Sequence, residues 1–184
     1  DQWHFHHCGI PDGYEEMEID GGDSSVIVAV IDSGVDYEHE DLKDNIWVNT
    51  GEIPDNNIDD DKNGYVDDYY GVDIIAGRGN GGDTNGHGTH VAGIAAANKV
   101  DGSVVQGVAP DAQLFIMKVY GADHGGFAED ILAALEDALL LGADVVNMSL
   151  GTNAGFTTNT EEVNAIYSRV TETNTVLSAE FIEL

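Results

Sequence analysis

The sequence is short of cysteine, of basic residues, of proline and of long apolar runs, and each shortage excludes something. One cysteine, Cys8, in 184 residues excludes a disulfide within the chain and leaves the redox compartment open. Only 6 lysines and arginines face 35 aspartates and glutamates, for a formal charge of -29. Such a surface repels nucleic acid and anionic membranes, and it favours divalent cations as partners. No apolar run approaches the roughly 18 residues of a membrane-spanning helix, so no membrane insertion is expected of this segment. With 42% hydrophobic residues and 3 prolines, the chain can bury one sizeable core. It opens on Asp1 rather than methionine, with no basic and apolar leader, and is expected to be processed or excerpted.

What is present alternates. The run VIVAVI at 26–31 is β-branched and apolar on both faces, as a central parallel strand requires. QLFIMKVY at 113–120 and ADVVNMSL at 143–150 have the same character, and a fourth strand is expected to begin near Val176. Helical periodicity occupies residues 90–98, then 128–141 with Ile131, Leu132, Leu135 and Leu139 on one side, then 161–171. Alternating strands and helices predict a three-layer α/β fold with a mostly parallel sheet and right-handed crossovers. Residues 1–25 read as a polar, Gly-rich lead-in and 26–184 as the folded part, with an acidic insertion at about 44–70.

Ligands and chemistry in such folds gather at the carboxyl ends of the strands. There the first strand runs into Asp32, Ser33 and Gly34, and the third into Asn147, Met148, Ser149, Leu150 and Gly151. An acid in that place can serve merely to cap the following turn. The stretch NGHGTHVAG at 85–93 sets His87 and His90 among very small residues, which leave room for a close approach. A zinc site on the two histidines would call for a Glu beside the first, and Gly88 and Thr89 stand between them instead.

Three motifs taken together, V-I-D-S-G-V-D at 30–36, G-H-G-T-H-V-A-G-I-A-A at 86–96 and N-M-S-L-G at 147–151, resemble the subtilisin-like serine peptidases. The resemblance covers about residues 26–179. It implies a subtilisin-like fold in which His87 is the general base and Asp32 orients it and stabilises its charged form. It also implies that Gly125 and Gly126 offer backbone to an extended peptide or protein substrate, while Ser149, Leu150 and Gly151 line a side-chain pocket. His90 reads as a packed, hydrogen-bonded core histidine and Asn147 as structural.

The family's serine lies in a G-T-S-x-x-x-P turn, and its oxyanion asparagine in an A-G-N segment. Neither occurs in residues 1–184, where TVLSAE continues as Phe181, Ile182, Glu183 and Leu184. Ser149 and Ser178 lie on or beside strands without the strained elbow of a nucleophile. The expectation is the N-terminal portion of a secreted or cell-surface serine endopeptidase acting through an acyl-enzyme. The fold would be incomplete at the C-terminus, with the remainder of the domain following. Alone, this chain is expected to be inactive. The alternative is a non-enzymatic, calcium-binding and peptide-binding fragment or pseudoprotease.

In the insertion, Asp59, Asp61, Asn63, Tyr65 and Asp67 fall at positions 1, 3, 5, 7 and 9 of a calcium loop, with Gly64 at the turn position. Position 12 is Tyr70 rather than a bidentate acid, so the loop is EF-like without being an EF-hand. A structural calcium is expected there, and no organic cofactor; the competing reading is a solvated acidic loop. Similar insertions in secreted subtilases support the calcium by resemblance.

Overall fold

The computed structural model describes residues 2–99, 105–122, 128–152, 176–179 and 182–183. Its main sheet contains β1 (Ile27–Asp32), β2 (Val72–Asp73), β3 (Gln113–Lys118), β4 (Val145–Met148) and β6 (Val176–Ala179) in the spatial order β2-β3-β1-β4-β6. All four neighbouring pairs are parallel. A separate parallel pair joins β5 (Gly151–Thr152) to β7 (Ile182–Glu183). The first apolar run is therefore the middle strand, as its two-sided hydrophobicity requires.

Side-chain alternation divides β1 between two cores. Ala29 and Ile31 face one side with Phe115, Met117 and the buried Ile131, Leu135 and Leu139 of helix α4 (Ala128–Leu140). Val30 faces the other with Leu114, Ile116 and the buried Ala92 and Ala96 of helix α3 (His87–Ala96). A sheet between two helical layers is the three-layer α/β architecture expected. The apolar stripe of α4 falls where its periodicity put it, while α3 begins three residues before the expected start at 90. The expected helix at 161–171 and the residues Gly125 and Gly126 lie outside the described residues.

The lead-in is not plain coil. It holds α1 (Trp3–His7) and α2 (Ile10–Met17), with Gly9 at φ 71 turning the chain between them. Neither helix buries a residue, and at 5 and 8 residues both are shorter than the stretch over which a helical period is read. Polar contacts hold them: the Gln2 amide donates to the Gln106 carbonyl at 2.7 Å and accepts from its N–H at 3.0 Å. Tyr14 donates to the carbonyl of Val108, and Lys99 pairs with Asp20 at 2.9 Å. Among the described residues, no helix is long and apolar enough to cross a membrane.

Candidate active site

Asp32 is the last residue of β1 and is fully buried. The chain then turns through Ser33 and Gly34, whose φ of 95° suits glycine. A second left-handed glycine, Gly86 at φ 96, immediately precedes α3 and brings His87 to the head of that helix. His87 Nδ1 lies 2.8 Å from Asp32 Oδ1 and 3.1 Å from Oδ2. The imidazole side chain is 45% exposed while its carboxylate partner is 0% exposed, so one edge of the ring is held and the rest is open. Among the described residues, Nε2 has no hydrogen-bond partner, which leaves it available to exchange a proton.

The small residues of NGHGTHVAG divide by what they face. A β-carbon on Gly88 would overlap the carbonyl oxygen of Gly34 and sit 3.0 Å from Asp32 Oδ1, so the missing side chain lets α3 settle on the end of β1. Gly88, Ala92 and Ala96 form the buried face of α3. His90 departs from its expected place. It is exposed and borders a cleft of about 580 Å³ between the N-terminal helices and α3. The reason is angular: two residues beyond Gly88 is about 200° round the helix, away from the sheet.

Asp83, which the sequence reading passed over, organises the approach to α3. Its Oδ1 accepts from the Ser33 hydroxyl at 2.9 Å and from the amides of Asn85 and Gly86 at 2.8 and 2.9 Å. Its Oδ2 accepts from the amide of Thr89 at 3.1 Å and from that residue's hydroxyl at 2.5 Å. Ser33 Oγ in turn accepts from Gly88 N–H at 2.9 Å. Burial pushes the Asp83 carboxyl up, but these hydroxyl and amide donors outweigh it and hold the group below the usual carboxylate range. The available signal was an acid three residues before a Gly helix cap, a place where it meets free helical N–H groups.

Tyr120 is the other member that sequence reading missed. Its hydroxyl donates to Asp32 Oδ1 at 2.9 Å and lies 3.0 Å from His87 Nδ1. Burial first, then the carboxylate of Asp32, push the phenol well above its ordinary range. No sequence pattern marks it, because it reads as the last residue of an apolar run. Ser149 exchanges contacts with Asn147, at 3.0 Å from Nδ2 and 3.4 Å from Oδ1, beyond the end of β4. Leu150 packs partly buried against the α4-side core, and Gly151 opens β5.

The acidic insertion is built differently from a plain loop register. Carboxylate oxygens of Asp59, Asp61 and Glu52 lie within 4.8 Å of one another, and Glu52 comes from outside the expected loop. Asn63 joins them through its N–H, which lies 3.1 Å from Asp59 Oδ1 and 3.0 Å from Asp61 Oδ1. Asp67 is turned elsewhere: it accepts from the amides of Asn56 and Asn57 and lies 3.6 Å from the Arg78 guanidinium. The hydroxyl of Tyr65 bonds Asp137 on α4 and ties the loop to the core. Beside the cluster, burial first, and then Asp61 and Glu52, push the buried Asp68 carboxyl upward against the hydrogen bonds of Asn63 and Asn49. An all-oxygen donor set of this kind suits a hard divalent cation.

Residues 23–179 match the model of the Subtilase family. The chain is 40% identical over 126 residues to "Subtilisin-like protease 1" of Plasmodium falciparum (isolate 3D7), covering 68% of this chain and 18% of that protein. It is 37% identical over 153 residues to "Subtilisin" of Bacillus sp. (strain TA39), covering 80% of this chain and 32% of that protein. Against the "Crystal Structure of a Lanthipeptide Protease" the TM-score is 0.59 at 28% identity, covering 88% of this chain and 39% of that one. The chain thus spans a third or less of the length of these two curated relatives.

Proposed function

The chain belongs to the subtilase family of serine proteases, and from that premise we propose that it supplies the acid and base of a peptide-bond-cleaving centre. The hydrogen bond of 2.8 Å between His87 Nδ1 and the fully buried Asp32, at the carboxyl end of the central strand, carries the reading. With Nδ1 held, Nε2 takes the proton of an attacking serine. Asp32 stabilises the imidazolium without accepting that proton. The proton then passes to the leaving amine, and a second cycle with water releases the acyl group.

The serine and the oxyanion donor of this centre would come from outside residues 1–184. An extended peptide is the substrate, paired along Gly125 and Gly126 and read by the segment Ser149, Leu150 and Gly151. Residues 1–184 hold neither a G-T-S-x-x-x-P turn nor an A-G-N segment, and by themselves they would not turn over peptides. A fluorophosphonate probe decides these points. It should label the protein carrying the complete catalytic domain, with labelling lost in His87→Ala, and should leave the 184-residue chain unmodified. A single His87-dependent adduct on the chain alone would sink the divided-site reading, and no labelling of the complete domain would favour a peptide-binding pseudoprotease.

Calcium is part of the same proposal. Glu52, Asp59 and Asp61, with the Asn63 side-chain oxygen nearby in sequence, would hold it, and it would supply only charge compensation and rigidity to the insertion. Action outside the cell fits this, because extracellular calcium sites work at high free calcium. Detection of the protein in the cell exterior after fractionation tests the location.

A further inference from the structure

Tyr120 lies just past β3 and meets the acid–base pair at its junction. Three atoms, Asp32 Oδ1, His87 Nδ1 and Tyr120 Oη, close a triangle with sides of 2.8, 2.9 and 3.0 Å. A phenol has one hydrogen to give and lone pairs to receive with, while an ionised carboxylate only receives. The hydroxyl hydrogen therefore goes to Asp32. What Oη then presents to Nδ1 is a lone pair, and Asp32 presents lone pairs as well. Both neighbours demand a hydrogen on Nδ1. A neutral imidazole carries only one, so Nε2 is left bare, which is the form a general base needs.

We propose that Tyr120 is a positioning residue of this centre, whose hydroxyl fixes the His87 tautomer and the Asp32 rotamer. This rests on the peptidase reading of Asp32 and His87 given above. Five further observations support it. The backbone is anchored at this point, since Val119 N–H donates to the Asp32 carbonyl at 2.9 Å. Lys118 beside it donates to the Gly82 carbonyl at 3.0 Å. The phenol keeps its hydrogen at working pH, because burial and the nearby carboxylate both oppose its ionisation. The Tyr120 and His87 rings are not stacked, with centroids 6.4 Å apart and planes at 49°, so the hydroxyl makes the contact rather than the ring face. Oδ1 also accepts the Ser33 amide at 2.7 Å, and rotating the carboxylate would break these bonds together.

The test uses the protein with the complete catalytic domain, in a cycle of Tyr120→Phe and Asp32→Asn. Removing the hydroxyl alone should lower kcat about tenfold, the loss of one hydrogen bond to a charged group, with KM within about twofold. In the Asp32→Asn background the same change should cost less than about twofold, because the hydroxyl then has no ionised acceptor to hold. A loss of equal size in both backgrounds would mean that the tyrosine only packs, and would overturn the inference. So would unchanged kcat in Tyr120→Phe while wild type turns over normally. Wild type that neither cleaves peptide nor takes a fluorophosphonate would instead bring down the peptidase reading beneath it. A measurement on unmutated protein guards against a variant that fails to fold. The low-field Nδ1 proton of His87 should show a magnetisation contact to the Tyr120 phenol, and its absence in active enzyme would overturn the inference equally.

Discussion

The carbonyl oxygen of Gly34 occupies the space that a β-carbon on Gly88 would need. Helix α3 can rest on the end of β1, and so bring His87 to Asp32, only because residue 88 has no side chain. Glycine inside a helix ordinarily costs about 0.5–1 kcal/mol relative to alanine. Here the gain in contact outweighs that cost.

Two glycines of one helix should therefore respond oppositely. Gly88→Ala is expected to destabilise the fold by about 1–3 kcal/mol through overpacking and to reduce activity by displacing His87. Gly93, with nothing within 4 Å of its added β-carbon, should gain up to about 1 kcal/mol as alanine. Urea midpoints of the two variants check this, and a destabilised Gly93→Ala would contradict the packing described.

The two histidines should separate cleanly. His87→Ala is expected to remove turnover in the complete domain, since members of such a unit act together. His90 is exposed on the far side of α3, so His90→Ala should change stability by no more than about 0.5 kcal/mol and leave activity near wild type. Parallel kinetics and melting curves measure both, and severe activity loss in a folded His90→Ala would reverse the assignment.

Asp83 links the site to acid stability. Its carboxyl is held below the unfolded value of about 3.9, so its contribution is fully present above that pH and is lost as pH falls through the still lower folded value. Asp83→Asn places an amide where Thr89 N–H and Ser33 hydroxyl need acceptors, and should cost about 1–3 kcal/mol at neutral pH. The difference between variant and wild type should be flat from pH 5 to 7 and narrow below about pH 4. Urea unfolding across that range is the measurement; a difference that widens with acid would refute the sign.

Chelation should separate Glu52 from Asp67. At a hundredfold excess of calcium over its dissociation constant, binding to the folded form adds about 2.7 kcal/mol, and EDTA should lower the melting temperature accordingly. Glu52→Gln should shrink that shift, because its carboxylate converges with those of Asp59 and Asp61. Asp67→Asn should leave most of it, since its carboxylate lies outside the group formed by Glu52, Asp59 and Asp61. Scanning calorimetry with and without EDTA distinguishes them, and a chelator shift that follows Asp67 would restore the simple loop register.

Patterns that repeat along the chain were legible in the sequence. The two-sided apolar run before Asp32 set a central parallel strand, and the spacing of Ile131, Leu135 and Leu139 set the face of α4, because period and burial are local consequences of strand and helix geometry. Asp32 was legible as the residue that ends the first apolar run, whereas His87 was named through the resemblance of its G-H-G-T-H motif, since the helical period alone began at residue 90. The partners that arrive across the fold left no such trace. Tyr120 reaches Asp32 from 88 residues away, Glu52 meets Asp59 from outside the loop register, and the exposure of His90 follows from which helix face the sheet takes. Tertiary packing decided these, because a carboxylate or hydroxyl is satisfied by whatever donor the neighbouring strand or turn presents, and sequence distance carries no weight in that choice.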